Sequence, residues 1–148
     1  MKLVIQRVTD ASLKVNNEEI SKIGRGYLVL IGIKNSDTKE NATYLVNKLV
    51  NLRIFEDEND KLNLSIKDIN GELLLVSQFT LYGDCSRGNR PSFIEAARSE
   101  DAKEIYDYFV EECKKHVQIV KEGIFGSNMK INLTNDGPAT IIMENKDK

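Results

Sequence analysis

The chain has 148 residues, of which 41% are hydrophobic, and its 21 Lys and Arg against 23 Asp and Glu give a net charge of −2. This length and composition predict one folded domain over residues 1–148, and the charge argues against a protein that grips nucleic acid through a broad basic surface. One histidine, His116, and two cysteines, Cys85 and Cys113, are too few for a Cys/His metal site, so we expect no metal. Arg7 and Asp10 come too early for the apolar core of a signal peptide, and no apolar run approaches the about 20 residues of a membrane helix. We therefore expect a cytoplasmic protein with no membrane partner.

Apolar patterning predicts strands over the first third of the chain. Residues 3–8 form an apolar stretch, apolar and polar residues alternate over 12–16, and a turn at Asn16-Asn17 leads into residues 18–23. Residues 27–33 (YLVLIGI) are apolar on both faces, which is typical of a strand covered on both sides. Residues 73–80 (LLLVSQFT) predict a second buried strand with a polar end.

Two amphipathic helices and two late strands complete the predicted fold. Residues 39–52 have helical spacing after a capping box formed by Asp37 and Glu40, and a second helical face over 102–117 follows the polar start at 99–101. Strands are predicted over 129–134 and 139–144, with the turn sequence NDGP between them. This order predicts a single-domain α+β fold with antiparallel or mixed sheets and two main helices. The common nucleotide-binding loops are absent from the sequence, and we expect no cofactor.

The polar end of the second buried strand, residues 77–80, is the first candidate site. One interpretation is a strand leaving the core for solvent. The other is a strand terminus whose backbone N–H groups and Thr80 hydroxyl stabilise an oxyanion, which contributes about 3–4 kcal/mol per donor in enzymes. The sequence offers no base beside Thr80, which argues against this hydroxyl as a nucleophile.

The segment around Gly137-Pro138 has two interpretations as well. It is typical of a turn, whereas a cis bond, found at about 5–6% of X-Pro positions, would aim both carbonyls the same way as a rigid clamp. Phe125 and Met129 either anchor a loop or cover the face of a nucleobase.

A basic loop follows the second buried strand. Arg87 and Arg90 have no acidic residue near them after Asp84, so the loop is either a solvated turn, which we favour, or a phosphate contact. Cys85 lacks a neighbouring base that would activate its thiol, and His116 suits the end of a helix better than a catalytic site.

Together these segments resemble the D-aminoacyl-tRNA deacylase family over essentially the whole chain. The resemblance begins at Gln6-Arg7-Val8, continues through residues 51–55 (NLRIF) and 90–93 (RPSF), and includes Phe125-Gly126 and Met129. It is strongest at two signature motifs, Ser-Gln-Phe-Thr at 77–80 and Asn-x-Gly-Pro-x-Thr at 135–140. The chain departs from the usual pattern at Ala139, where the family usually has Val.

The resemblance implies a homodimer with β/β/α layers that hydrolyses the ester joining a D-amino acid to the terminal adenosine of tRNA, and also acts on mischarged glycyl-tRNA. Its implied partners are the 3′ end of aminoacylated tRNA and a second copy of the chain, with no DNA and no cofactor. Selectivity against L-aminoacyl-tRNA would come from a cis Gly137-Pro138 dipeptide inserted into the partner subunit's pocket. The resemblance also assigns the remaining roles: support of the dipeptide by Arg7, a catalytic wall of Ser77, Gln78, Phe79 and Thr80, and adenosine contacts by Phe125 and Met129.

Three alternatives stay open at this point. The Thr80 hydroxyl either attacks the ester or orients the substrate while the tRNA 2′-OH assists water, and the missing base favours the second role. A non-catalytic RNA-binding module and an esterase for small substrates are the other two functions compatible with the scaffold. The presence of both signature motifs favours the editing hydrolase.

Overall fold

A six-stranded mixed β-sheet, a separate two-stranded sheet and two helices make up the part of the chain that the structure describes. The computed structural model describes residues 1–145, so the last three residues of the predicted domain lie outside the described residues. The strands are β1 (Lys2–Val15), β2 (Glu18–Ile23), β3 (Gly26–Gly32), β4 (Phe55–Glu56), β5 (Leu62–Leu64), β6 (Glu72–Ser77), β7 (Val120–Glu122) and β8 (Lys130–Glu144), and the helices are α1 (Lys39–Asn51) and α2 (Ser99–Lys114).

The long strand β1 organises the sheet. Its first half pairs antiparallel with β3, its second half pairs antiparallel with β2, and β8 runs antiparallel along its other edge. Beyond β3, the strands β6 and β7 are added in parallel, while β4 and β5 form a separate small sheet. The α+β class with mixed sheets and two helices, predicted from the order of elements, is confirmed.

Two apolar cores cover opposite faces of the central strands. Along β3, Tyr27, Val29 and Ile31 face the larger core beneath α1 and α2, whereas Leu28 faces a smaller core that includes Leu13 of β1. A strand that is buried on both faces carries apolar side chains at successive positions instead of alternating apolar and polar ones. This explains the continuous apolar run at residues 27–33. Within residues 1–145, no helix is long and apolar enough to cross a membrane.

Three local predictions were wrong. Residues 129–134 and 139–144 belong to one strand, β8, because both segments pair with β1 and the NDGP segment bulges out between them. The second buried strand ends at Ser77, because the chain then enters a 3₁₀ turn at Phe79–Tyr82. The cap of α1 is Thr38 with Asn41, because Asp37 instead binds the Met1 ammonium at 2.6 Å.

Candidate active site

A cavity of about 560 Å³ opens at the carboxyl ends of the parallel strands β3 and β6. Three segments form its walls: the end of β6, residues 93–102 leading into α2, and the loop before β8. Among the residues given candidate roles above, the cavity brings together Ser77, Gln78, Phe79, Phe125 and Met129.

Ser77, Gln78 and Phe79 of the first signature motif line this cavity, whereas Thr80, the next residue, is not among its lining residues. The Gln78 N–H donates to the Ile31 carbonyl at 2.8 Å, which continues the pairing of β6 with β3 one residue past the strand. The chain then enters the Phe79–Tyr82 turn, in which the Leu81 N–H donates to the Gln78 carbonyl at 3.3 Å. The first two N–H groups of a 3₁₀ turn, here those of Phe79 and Thr80, have no acceptor within the turn itself. The Gln78 side-chain amide donates to Thr80 Oγ1 at 2.5 Å. The Thr80 oxygen is therefore an acceptor, and its own proton remains available for a ligand.

No ionisable side chain is among the described residues that line the cavity. Cys113 is buried in the larger core, where burial raises the pKa of its thiol to about 12. Cys85 is exposed on the loop after the 3₁₀ turn, and His116 lies just past α2. The cavity itself thus contributes hydroxyl, amide and backbone groups, with neither an imidazole nor a carboxylate. Within residues 1–145, no cluster of His, Cys, Asp or Glu is arranged to hold a metal ion.

Aromatic contacts fix the cavity walls. Phe79 is half exposed and meets Phe93 edge-on, with ring centroids 5.1 Å apart. Phe125 packs on the buried Tyr106 at 5.7 Å, and the Tyr106 hydroxyl donates to the Leu75 carbonyl of β6 at 3.2 Å. These contacts hold two faces of the cavity against the core.

The absence of a side chain at Gly123 leaves space for the Met129 thioether. A Cβ at position 123 would collide with Met129 Sδ and lie 3.0 Å from Leu13 Cδ1. The missing side chain therefore lets Met129 reach the cavity wall.

Gly137 and Pro138 lie in the bulge of β8, directly opposite Arg7. Thr140 pairs with Gln6 and Asn135 with Val8, so four residues of β8 face one residue of β1. The Gly137–Pro138 peptide bond is cis, and both residues are exposed.

A buried arginine and an asparagine hold the bulge. Arg7, only 4% exposed, donates from Nε to the Asp136 carbonyl at 3.1 Å and from Nη1 to the Ile54 carbonyl at 2.6 Å. Asn135 Nδ2 donates to the carbonyls of Arg7 and Ala139, both at 3.0 Å. Gly137 has a φ of +123°, and a Cβ there would lie 2.7 Å from Arg7 Nη2. Glycine is therefore required at this position for two independent reasons.

Within one chain, the bulge does not line the cavity. Ser77 lies in register with Ile31 and Leu3, whereas Arg7 lies in register with Tyr27 and Leu73, four residues away along β6. The strands β3 and β1 stand between β6 and β8 in the sheet. Arg7, Gly137 and Pro138 accordingly take no part in lining the cavity of their own chain.

Sequence reasoning did not assign roles to Phe93 and Asn135. Phe93 lies beyond the basic loop, and only the folding back of that loop brings it to Phe79. Asn135 had a detectable signal, since it opens the Asn-x-Gly-Pro motif, but its two acceptors are set by strand register.

The basic loop, residues 85–91, is closed at its base by backbone hydrogen bonds. Asp84 and Ser92 exchange two backbone hydrogen bonds at its base, at 2.8 and 2.9 Å. Bonds from the Ser86 hydroxyl and backbone N–H keep the pKa of Asp84 below its usual value. Arg87 and Arg90 are exposed at the tip of the loop.

The chain is similar in sequence and in structure to proteins already described. It is 51% identical over 146 residues to a D-aminoacyl-tRNA deacylase of Clostridium novyi (strain NT) and 53% identical over 147 residues to one of Thermosipho melanesiensis (strain DSM 12029 / CIP 104789 / BI429), and each match covers 99% of this chain and 98% of the relative. A solved structure of the c-Myc DNA Unwinding Element Binding Protein superposes with a TM-score of 0.94 at 44% identity, covering 99% of this chain and 100% of the other. A probable eukaryotic D-amino acid tRNA deacylase shares the fold, with a TM-score of 0.83 at 19% identity over 96% of this chain and 97% of the other.

These relatives place the chain among the deacylases, which are hydrolases acting on ester bonds. Within that class, the chain belongs to the D-Tyr-tRNA(Tyr) deacylase family, which it matches over residues 4–144.

Proposed function

We propose that this protein hydrolyses the ester bond of D-aminoacyl-tRNA, and that of mischarged glycyl-tRNA, to free amino acid and tRNA. The observation that carries the proposal is a cavity of hydroxyl, amide and backbone groups at the end of β6, without a base, in a chain of the deacylase family. An aminoacyl ester is already activated, so orientation and oxyanion stabilisation suffice where an amide would need stronger assistance. The whole chain, residues 1–148, would act as one domain in the cytoplasm.

In this mechanism the ester carbonyl oxygen lies toward the backbone N–H groups of Phe79 and Thr80, and the terminal adenosine lies against Phe125 and Met129. Water adds to the carbonyl carbon, the bond to the ribose oxygen breaks, and that oxygen takes up a proton. The Thr80 hydroxyl donates a hydrogen bond to the substrate, while the ribose hydroxyl next to the ester on the tRNA assists the attacking water. Thr80 is a positioning group here because its oxygen already accepts the Gln78 amide.

Chiral selectivity requires a second copy of the chain. The Gly137-Pro138 bulge is exposed, is fixed by Arg7 and Asn135, and lies away from the cavity of its own chain. The outer edge of β8 is also open, because β8 pairs only with β1 among the described strands. We propose a homodimer in which each bulge enters the cavity of the partner and excludes L side chains.

The direct test measures release of tyrosine from D-tyrosyl-tRNA and L-tyrosyl-tRNA, with glycyl-tRNA as a third substrate and buffer alone as the control. We expect hydrolysis of the D and glycyl esters above the uncatalysed rate and no acceleration of the L ester. Equal rates for the D and L esters, or a D rate at background, would overturn the proposal.

A mixing experiment tests whether the site is shared between subunits. Gly137→Val disables the bulge, so its homodimer should cleave the L ester as well as the D ester, and Ala97→Phe fills the cavity, so its homodimer should cleave neither. Random reassortment of equal amounts makes about half of the dimers hybrid, so about half of the Gly137→Val cavities receive an intact bulge and the L-ester rate should fall by about half. An unchanged L-ester rate in dimers shown to have exchanged subunits would contradict a shared site.

One relative is named for binding DNA, which raises a second candidate function. The net charge of −2 argues against broad binding to duplex DNA. We therefore expect that excess duplex DNA leaves the D-tyrosyl-tRNA rate unchanged.

A further inference from the structure

A second, smaller cavity lies beside the first. It has a volume of about 190 Å³ and is lined by Lys14, Asn16, Asn17, Asn128 and Lys130. None of these residues is apolar and none is acidic, so the cavity offers only cationic and amide groups to a ligand. Such a lining suits an anion.

The two lysines stand directly opposite each other. Lys14 of β1 and Lys130 of β8 are register partners in the antiparallel pair. Opposite residues have Cβ atoms about 4.5–5.5 Å apart, and like charges placed there repel. On its other side Lys14 is in register with Glu19, yet the side chain of neither lysine forms a hydrogen bond or ion pair within residues 1–145. An anion between the two ammonium groups would relieve the repulsion.

The asparagines fix this cavity and join it to the larger one. Asn16 and Asn17 form the turn after β1 with positive φ angles of 52° and 65°, a conformation that asparagine tolerates better than most residues. Asn128 lines both cavities, and Met129 lies between it and Lys130. The anion site is thus continuous with the wall given to the terminal adenosine.

We propose that the cavity at Lys14 and Lys130 binds backbone phosphate of the single-stranded 3′ end of the RNA, next to the terminal adenosine. This inference rests on the proposed function for the position of the adenosine. Phosphate contacts carry no sequence information, so the site contributes affinity and register for any tRNA. Such a site would let a chain with a net charge of −2 hold an RNA strand locally, because two lysines line a cavity next to the wall given to the adenosine.

The test is the salt dependence of binding to an uncharged RNA hairpin with a single-stranded 3′-ACCA end. The wild-type protein is compared with Lys14→Gln/Lys130→Gln by fluorescence anisotropy between 50 and 200 mM KCl. Each phosphate contact to a single strand contributes about 0.7 to the slope of log K against log salt. We expect the double variant to lose about 0.7–1.4 of slope, so that over this range the wild-type affinity falls about three- to sevenfold more than that of the variant.

Two further variants make the result specific. Lys103→Gln/Lys114→Gln removes the same charge from exposed positions on α2 and should leave the slope unchanged, whereas Lys14→Arg/Lys130→Arg should retain it. An unchanged slope in the Lys14/Lys130 variant, or an equal loss in the α2 control, overturns the proposal. So does a slope that depends instead on Arg87 and Arg90, because the strand would then contact the basic loop and not this cavity.

A kinetic comparison separates this inference from the proposed function. On D-tyrosyl-tRNA the Lys14→Gln/Lys130→Gln variant should lose kcat/KM through a higher KM, and on D-tyrosyl-adenosine, which has no phosphate, it should match the wild type. Equal losses on both substrates overturn the phosphate site. If the wild type cleaves neither ester, the proposed function fails while the binding measurement still decides the phosphate site.

Discussion

Replacing Gly137 by alanine tests how the bulge of β8 is held. A non-glycine residue at a φ of +123° costs on the order of 1–3 kcal/mol in backbone strain. The new Cβ would also lie 2.7 Å from Arg7 Nη2, so the guanidinium has to move. Displacing it from either the Asp136 or the Ile54 carbonyl loses a charge-assisted hydrogen bond worth about 1.5–3 kcal/mol. The free energy of unfolding should therefore fall by about 2.5–6 kcal/mol in total.

Gly88→Ala is the matched control for this substitution. Gly88 also has a positive φ, +148°, but a Cβ there would meet no atom within 4 Å. It should therefore show the backbone strain alone, about 1–3 kcal/mol. The difference between the two variants isolates the collision with Arg7 and should be about 1.5–3 kcal/mol.

Urea unfolding of both variants measures the two free energies, with the slope of the transition checked for two-state behaviour. Destabilisation of Gly137→Ala equal to that of Gly88→Ala would refute the argument that Arg7 fills the space beside Gly137. On the proposed function, Gly137→Ala should also narrow the ratio of D-ester to L-ester hydrolysis, whereas Gly88→Ala should leave that ratio unchanged.

Three more predictions concern the site and its surroundings. Thr80→Ala should lower the D-tyrosyl-tRNA rate only about fivefold, the value of one neutral hydrogen bond of about 1 kcal/mol, and a loss of several orders of magnitude in a folded variant would favour the nucleophile role. Asn135→Ala removes two hydrogen bonds and should lower the free energy of unfolding by about 2 kcal/mol. The control is Asn51→Ala at an exposed helical position. Equal losses of stability in the two variants would argue against Asn135 holding the bulge. At pH 8, iodoacetamide should modify the exposed Cys85 and spare the buried Cys113, whose pKa of about 12 leaves almost no thiolate. The modified protein should keep its activity. Modification of Cys113 detected by mass spectrometry, or a lower rate in the deacylation assay, would contradict this prediction.

Patterns local in sequence predicted most of the elements. The covered strand at residues 27–33 and the helix at 39–52 could be recognised because burial on both faces or on one face leaves its own periodicity. The predicted end of the second buried strand was wrong because nothing in the local sequence of residues 77–79 distinguishes a strand from a 3₁₀ turn. The helix cap was wrong because the buried N-terminal ammonium competes for Asp37.

The sequence by itself determined the α+β class, the family and the two motifs that carry the candidate chemistry. Residue types and short spacings express those properties directly. Only the tertiary structure decided that NDGP is a bulge within one strand and that Arg7 spans from Ile54 to Asp136, residues that are 47 and 129 positions away. It also decided that Lys14 faces Lys130 and that the bulge lies away from its own cavity. These facts depend on strand register, and register is fixed by packing between distant segments rather than by any local pattern.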